Sequence, residues 1–496
     1  MCKCCSTAQR QYWVFGCGVF LLLLALIVGL LWPTLAWNIL YSQLRLGDGT
    51  PNYDNWIETP LPMYMEITMF NWTNTHEVHN PDVKPLLVEC GPYVFLENHK
   101  RTNVTWNENG TVTYNQIRTW QFKPDLSNGT LDDEITTLNM ISASVAYAVR
   151  NDGPLIKLGV NVMLNTLGGS VFVTEKVGEF LFDGYKDPLL DYLKSTNSTV
   201  FNIPFDRFGW FVDRNNSYIY DGTFNINTGD NDMTKLGMLN EWNYHSKTDF
   251  YSGGCSAING TTGELWPPKI NSDADLTLFV SDICRSVSLA PATETIEKYG
   301  VTASKWIGDY RVFDNGVNYP PNECFCTADK TECPDLATGV YNVSDCRFGA
   351  PVFISYPHFY LADPSYAEAI DGLNPSKEAH EFSMALQADT GIPVEVNARM
   401  QLNVLLQPVT GLALYTNVPH IMVPMFWFTQ RVELDETLAG RARLAAMLPS
   451  VGVYASYGIL GLGAILLIVG ITLTITNKWS SPHTRFQNES DNELET

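Results

Sequence analysis

Two uncharged apolar runs lie near the ends of the chain, and between them hydrophobic residues come in short alternating stretches. From Gln11 to Leu44 no residue is charged, and residues 12–37 read YWVFGCGVFLLLLALIVGLLWPTLAW. That run exceeds the about 20 residues that cross a bilayer as a helix. Trp13, Trp32 and Trp37 stand where membrane interfaces would fall. A second uncharged run covers residues 444–477, with its apolar centre at 451–475. Both predict membrane-spanning helices. Residues 62–71 alternate imperfectly, and 91–96 and 112–122 are rich in β-branched and aromatic residues between turn signals. These predict strands. Residues 128–195 differ. Thr130 with Asp133 resembles a capping box ahead of Ile135, Leu138 and Ile141. Ile156, Val160, Met163, Leu164 and Leu167 recur at helical spacing, and Gly168-Gly169 stops that helix. Asp187-Pro188 caps another short helix towards Lys194. Strand signals return from Phe201 and continue to Pro408, with a regular segment at 394–406. No repeat or low-complexity tract divides the middle, which predicts one folded unit.

A cleaved leader would have an apolar region of about 7–15 residues ending in small residues. The first run is longer and ends in tryptophan, so it predicts an uncleaved anchor. Lys3 and Arg10, with no acid nearby, place the N-terminus in the cytosol. Arg441 and Arg443 run against the charge rule at the second helix. Cysteines and glycosylation acceptors override them. The segment 253–346 holds six of the eleven cysteines: Cys255, Cys284, Cys324, Cys326, Cys333 and Cys346. Asn71, Asn103, Asn109, Asn128, Asn197, Asn215, Asn259 and Asn342 head N-x-[ST] acceptors, each in polar or turn-like surroundings. Cysteines among such acceptors indicate an oxidising, non-cytosolic compartment. The organisation predicted is a cytosolic tail (1–11), a membrane helix (12–37), an ectodomain (38–450), a second membrane helix (451–475) and a cytosolic tail (476–496). Asn488 also fits the acceptor pattern but falls in that last tail. Gly458, Gly461 and Gly463 would admit a close helix neighbour, although glycine is common in membrane helices generally.

The four basic and four acidic residues of the two tails cancel, so the net charge of −22 belongs to the middle. A field of that sign repels nucleic acid and anionic membrane surfaces. Cys2, Cys4 and Cys5 precede the first helix and are candidates for S-palmitoylation, with inert thiols as the alternative. The acidic C-terminal tail has no tyrosine and no Leu-Leu or Leu-Ile pair that would direct endosomal sorting. There is no G-x-S-x-G, no H-E-x-x-H and no phosphate-binding glycine loop, so no enzyme and no cofactor are expected. His358 sits in an aromatic run, 356–360, and reads as a packed structural histidine. Asp132-Asp133-Glu134 reads as the acidic start of a helix. Six cysteines allow fifteen pairings, and the sequence alone does not choose. A zinc site on Cys324-x-Cys326 is disfavoured in an oxidising lumen.

A series of motifs runs through the ectodomain. They are Asn80-Pro81, Lys84-Pro85, Glu89-Cys90-Gly91-Pro92-Tyr93, Gly184-Tyr185-Lys186-Asp187-Pro188, Trp266-Pro267-Pro268, Asp282-Ile283-Cys284-Arg285-Ser286, Cys324-Phe325-Cys326 and Pro357-His358-Phe359-Tyr360. Thr390-Gly391 and Arg399-Met400-Gln401-Leu402-Asn403 complete the set. In this order, framed by two membrane helices, the chain resembles the class B scavenger receptors. That family includes the fatty acid translocase, the lysosomal integral membrane proteins and the sensory neuron membrane proteins. Residues 70–74, 127–133 and 424–428, with the cysteine-rich N-terminus, are similar to the croquemort-like insect receptors within it.

The resemblance implies an antiparallel β-barrel core with an apolar tunnel, and a small α-helical bundle, residues 128–195, at the apex. It implies the pairs Cys255–Cys324, Cys284–Cys346 and Cys326–Cys333. Cys90 departs from the family pattern and is left over, as a buried free thiol or an intermolecular bridge. Some family members present apical lysines to anionic ligands. The candidates here are Lys157, Lys176, Lys186 and Lys194, but the 167–174 turn has no lysine. Leu167, Val171 and Phe172 would instead be exposed to lipid or a partner. The expected function is a plasma-membrane receptor for lipids, fatty acids or lipoprotein-like ligands and for apoptotic-cell or microbial surfaces. Its short tails would require a signalling co-receptor. The alternatives are an endolysosomal trafficking receptor, or a lipid or pheromone transporter of sensory or gut membranes.

Overall fold

The computed structural model describes residues 7–195, 206–325, 336–347 and 349–479. The chain divides into two units, one formed by residues 1–44 with 441–496 and one by 45–440. The first holds helix α1 (Thr7–Leu44) and nearly all of the last helix, α8 (Glu436–Ile475). Both are long and apolar enough to cross a membrane. Each extends beyond its apolar run into the flanking residues.

Glycine sets the approach of these two helices. A Cβ on Gly463 would lie 3.1 Å from the Gly18 carbonyl oxygen, whereas Gly458 and Gly461 have open space around them. Gly452 faces Trp32, and a Cβ there would lie 2.1 Å from the indole. Trp32 Nε1 also donates to the Leu448 carbonyl at 3.0 Å. Gly452→Leu is therefore expected to separate the pair, with an overpacking penalty of at least about 2 kcal/mol. A Gly29→Cys, Ser456→Cys pair reports this, since the Cβ positions lie 3.6 Å apart, within disulfide range. Cross-linking should be efficient in that background and lost on adding Gly452→Leu. An unchanged yield would contradict the packing.

The second unit is built on one 13-stranded sheet. After a short helix α2 (Pro51–Ile57) come β1 (Met63–Trp72), β2 (Leu87–Trp106) and β3 (Thr111–Phe122). Further along are β6 (Thr223–Asn227), β7 (Leu239–Trp242), β8 (Leu276–Val280), β9 (Arg285–Lys298) and β10 (Val301–Ile307). The sheet is completed by β11 (Tyr341–Asn342), β12 (Val352–Ser355), β13 (Ser383–Gln387), β14 (Ile392–Leu406) and β15 (Ile421–Glu433). The order is β7-β6-β3-β2-β1-β15-β14-β13-β10-β9-β8, with β12 pairing β14 and carrying β11. Neighbouring strands are antiparallel. The two edges meet across Gly260-Thr261. Leu239 N–H donates to the Gly260 carbonyl, and Phe279 N–H to the Thr261 carbonyl, each at 2.7 Å. The sheet is thereby nearly closed. Gly260 has φ of 83°, and a Cβ there would lie 2.1 Å from the Thr277 carbonyl oxygen, so the closure requires glycine. Burial alternates at Met63, Met65 and Ile67 in the first half of β1, and from Ile67 to Phe70 both faces are buried.

Residues 128–195 are not simply helical. Glu134–Leu138 is a strand, β4, paired with β5 (Phe172–Lys176). The Thr130–Asp133 contact exists, with Thr130 Oγ1 2.8 Å from Asp133 Oδ1, but it closes a turn ahead of the strand. The three β-branched residues Ile135, Thr136 and Thr137 suit the pairing, and Thr136 and Thr174 hydroxyls meet across it at 2.7 Å. The first helix, α3 (Met140–Ala148), starts later, capped by Asn139, whose Oδ1 accepts from the amides of Ile141 and Ser142. Helices α4 (Pro154–Thr166) and α5 (Pro188–Ser195) follow the sequence reading. Two small helices, α6 (Pro364–Glu368) and α7 (Lys377–His380), precede β13.

Candidate functional site

The inner face of β2 changes character along its length. Tyr93, Phe95, Glu97, His99 and Arg101 are all buried at alternate positions, apolar first and charged afterwards. Glu97 borders a cavity of about 200 Å³ whose apolar wall includes Met65, Trp120, Met140, Met400, Leu402 and Phe426. The charged part is a layer of ion pairs. His99 Nε2 lies 2.6 Å from Glu97 Oε1, and Nδ1 lies 2.7 Å from Glu264 Oε1. With both ring nitrogens on carboxylates, the ring is an imidazolium. Arg101 also binds Glu264. Arg118 Nε meets Asp221 at 2.9 Å and its Nη1 meets Asp282 at 3.3 Å. Arg214 Nη2 joins the same two carboxylates at 3.0 and 2.5 Å.

Four carboxylates therefore face four cations. Burial by itself would raise the carboxyls of Glu97 and Glu264. His99 and the nearby guanidinium groups outweigh it, and both pKa values are lowered. Burial opposes charge on His99, but Glu264 and Glu97 hold its pKa above the ordinary histidine value. The layer reaches the cavity, because Glu97, Arg118, Arg214 and Asp282 also line it, together with Arg347. The cavity thus has an apolar wall and a charged wall with more arginine than acid. Sequence reasoning missed this layer. The signal was present in β2, where Glu97, His99 and Arg101 fall on the same face as Tyr93 and Phe95.

A sequence model described as the CD36 family matches residues 16–474. The chain belongs to the CD36 family. It is 33% identical to Protein peste of Drosophila melanogaster over 90% of this chain and 80% of that one. It is 34% identical to scavenger receptor class B member 1 of Rattus norvegicus, over 94% and 90%. Lysosome membrane protein 2 of Rattus norvegicus is 30% identical, over 86% and 87%.

Several positions singled out by the likeness to this CD36 family take defined places. Cys255 is bridged to Cys324 and Cys284 to Cys346. Cys326, Cys333, Asn197 and the Cys2, Cys4 and Cys5 group lie outside the described residues. Cys90 is half-buried and free. Burial and the carboxylates of Asp133 and Glu89 push its thiol pKa up, which disfavours the reactive thiolate. Asn103, Asn109, Asn128, Asn215 and Asn259 are exposed, while Asn71 and Asn342 are half-buried. Asn71 is within β1, not in a turn, and its Oδ1 accepts from the Thr136 amide at 2.9 Å.

The proposed apical residues need correction. Val171 is buried, and Phe172 packs its ring edge-on to Trp72 at 4.8 Å. Leu167 is half-buried against the core. These side chains turn inward because they join the β4–β5 pair and α4 to the rest of the unit. The exposed apolar surface is on α4 itself: Leu155 at 82%, Leu158 at 58% and Val162 at 56%, a stripe at i, i+3, i+7. Ile156, expected on the inner face, is also exposed. Lys157 Nζ donates to the Arg150 carbonyl at 2.8 Å, and Lys176 pairs with Asp132 at 2.8 Å. His358 is buried, with Nε2 2.9 Å from Glu89 and Nδ1 accepting from the Asn374 amide. Its ring stacks on His380 of α7 at 4.4 Å.

Proposed function

We propose that this protein is a plasma-membrane receptor that binds lipid-bearing ligands, including apoptotic-cell or microbial surfaces, and takes acyl lipid into its barrel. Both termini lie in the cytosol, and the second unit is extracellular. The cavity carries this reading: its apolar wall suits an acyl chain and its arginines suit an acidic head. Each methylene buried there contributes about 0.8 kcal/mol. The exposed Leu155, Leu158 and Val162 stripe supports an initial contact with apolar ligand surface. A relative named as a scavenger receptor, aligned over most of both chains, supports it further. With short tails, signalling for uptake would pass through a co-receptor. An endolysosomal role is the second reading, supported by the relative named as a lysosome membrane protein.

Expression in non-phagocytic cells tests the proposal, scored for uptake of fluorescent fatty acid and of apoptotic corpses. The parent protein should confer both. Met400→Trp, which fills the cavity from β14, should reduce fatty-acid uptake about tenfold at unchanged surface level. A parent that confers neither, or strict lysosomal residence, would sink the plasma-membrane reading.

A further inference from the structure

The segment leading into α7 is tied to the sheet through His358 and His380, which the receptor reading leaves without a role. The two side chains are 3% and 4% exposed, and their rings stack 4.4 Å apart with 11° between the planes. The Asn374 amide donates to His358 Nδ1, and the Ser376 amide to His380 Nδ1, each at 3.0 Å. A backbone N–H can only donate, so each Nδ1 is an unprotonated acceptor. Both rings are therefore neutral, with their proton on Nε2. His358 Nε2 donates to Glu89 Oε1 at 2.9 Å, and Trp427 Nε1 donates to the same oxygen at 2.6 Å. The tied residues themselves face solvent: Asn374 and Pro375 are exposed. Upstream, Leu87 N–H donates to the Asp371 carbonyl at 3.0 Å, which pins the segment at that point whatever the imidazoles do.

A second proton on either ring must go to Nδ1, where it points at an amide hydrogen and breaks the bond. The charged groups around the pair do not rescue it. Burial, then the neighbouring His358 and Arg399 of β14, outweigh Glu89 of β2 and hold the His380 pKa down at about 4. Glu381, next to His380, is engaged by Lys305 of β10 at 3.0 Å and by Lys377 of α7 at 3.7 Å. Burial opposes charge on Glu89, but the hydrogen bonds from His358 and Trp427 lower its pKa, so it stays ionised in mild acid.

We infer that the stacked histidines are an acid-released latch, closed while both rings are neutral and freeing residues 374–380 when a ring takes a second proton. This goes beyond the receptor reading and does not rest on it. Once detached, His380 returns to the ordinary histidine value of about 6.5. The detached form then binds more protons than the closed one, so detachment grows as pH falls from about 6.5 towards 4. Between pH 7.5 and pH 5.0 one histidine raises the opening constant about 30-fold. Hydrogen–deuterium exchange of the full-length protein in detergent reads this, by mass spectrometry, after correction for the intrinsic pH dependence of exchange. Peptides covering 371–380 should show the rise, beginning near pH 6.5, while β14 stays protected. His380→Asn keeps an acceptor near the place of Nδ1 but cannot titrate, so it should hold the segment at pH 7.5 and lose the rise. A rise that persists in that variant overturns the proposal. So does a parent with no rise, one that β14 shares, or one that starts only below about 4.3, the ordinary glutamate value. The starting pH in the parent decides the matter should the variant not fold.

Discussion

Glu264→Ala is expected to lower the unfolding free energy by about 3–5 kcal/mol, because it leaves two buried cations without their shared counter-charge. Glu264 holds His99 Nδ1 at 2.7 Å, Arg101 and the Thr59 hydroxyl at 3.1 Å. Arg101 and His99 are buried, so water cannot take over. Glu264→Gln should be milder, since an amide oxygen can still accept from Arg101. Urea unfolding midpoints check both, and equal midpoints for parent and alanine variant would show that the layer contributes nothing.

The same layer sets a pH window. Glu97 and Glu264 have lowered pKa values in the fold, so their contribution is present above about 4.3, the unfolded value, and lost as pH falls through the folded ones. His99 is raised, so its contribution is present below about 6.5 and lost as pH rises through its folded value. The layer's contribution should be flat between those limits and fall on either side. His99→Gln should remove the alkaline limb specifically, read from urea midpoints across pH.

Replacing both Cys284 and Cys346 by serine should lower stability by about 4 kcal/mol, the chain-entropy value for a closed loop of this size. The bridged residues are 62 positions apart. The bridge also reaches the cavity. Asp282, two residues before Cys284, binds Arg118 and Arg214, and Arg347, just after Cys346, donates to the Asp282 carbonyl. Asp282 and Arg347 both line the cavity walled by Met65, Trp120 and Met400. The variant should therefore lose fatty-acid uptake as well as stability, whereas removing Cys255–Cys324, of similar span at 69 positions, should reduce stability alone. Equal loss of uptake in both pairs would break the link between this bridge and the cavity.

Residues 12–37 and 451–475 announced membrane helices because a run of apolar side chains is a local property that no distant contact needs to complete. Strands at 63–72 and 392–406 were legible for the same reason: a period of two along the chain reports one buried face. The start of 128–195 misled, since Ile135 and Leu138 fit a helical spacing while their partners on β5, Glu175 and Phe172, are distant in sequence. Val171 and Phe172 looked available because nothing nearby in sequence covers them. Trp72, which covers Phe172, comes from β1. The ion layer was least legible of all. His99 and Glu264 stand 165 positions apart, and only closure of the barrel brings their charges within 2.7 Å. Sequence by itself determined the two long apolar helices and most of the strands, through local periodicity, but not the β4–β5 pair. Tertiary structure decided which polar residues are paired in the interior, because a buried charge is tolerated only where the fold delivers its partner.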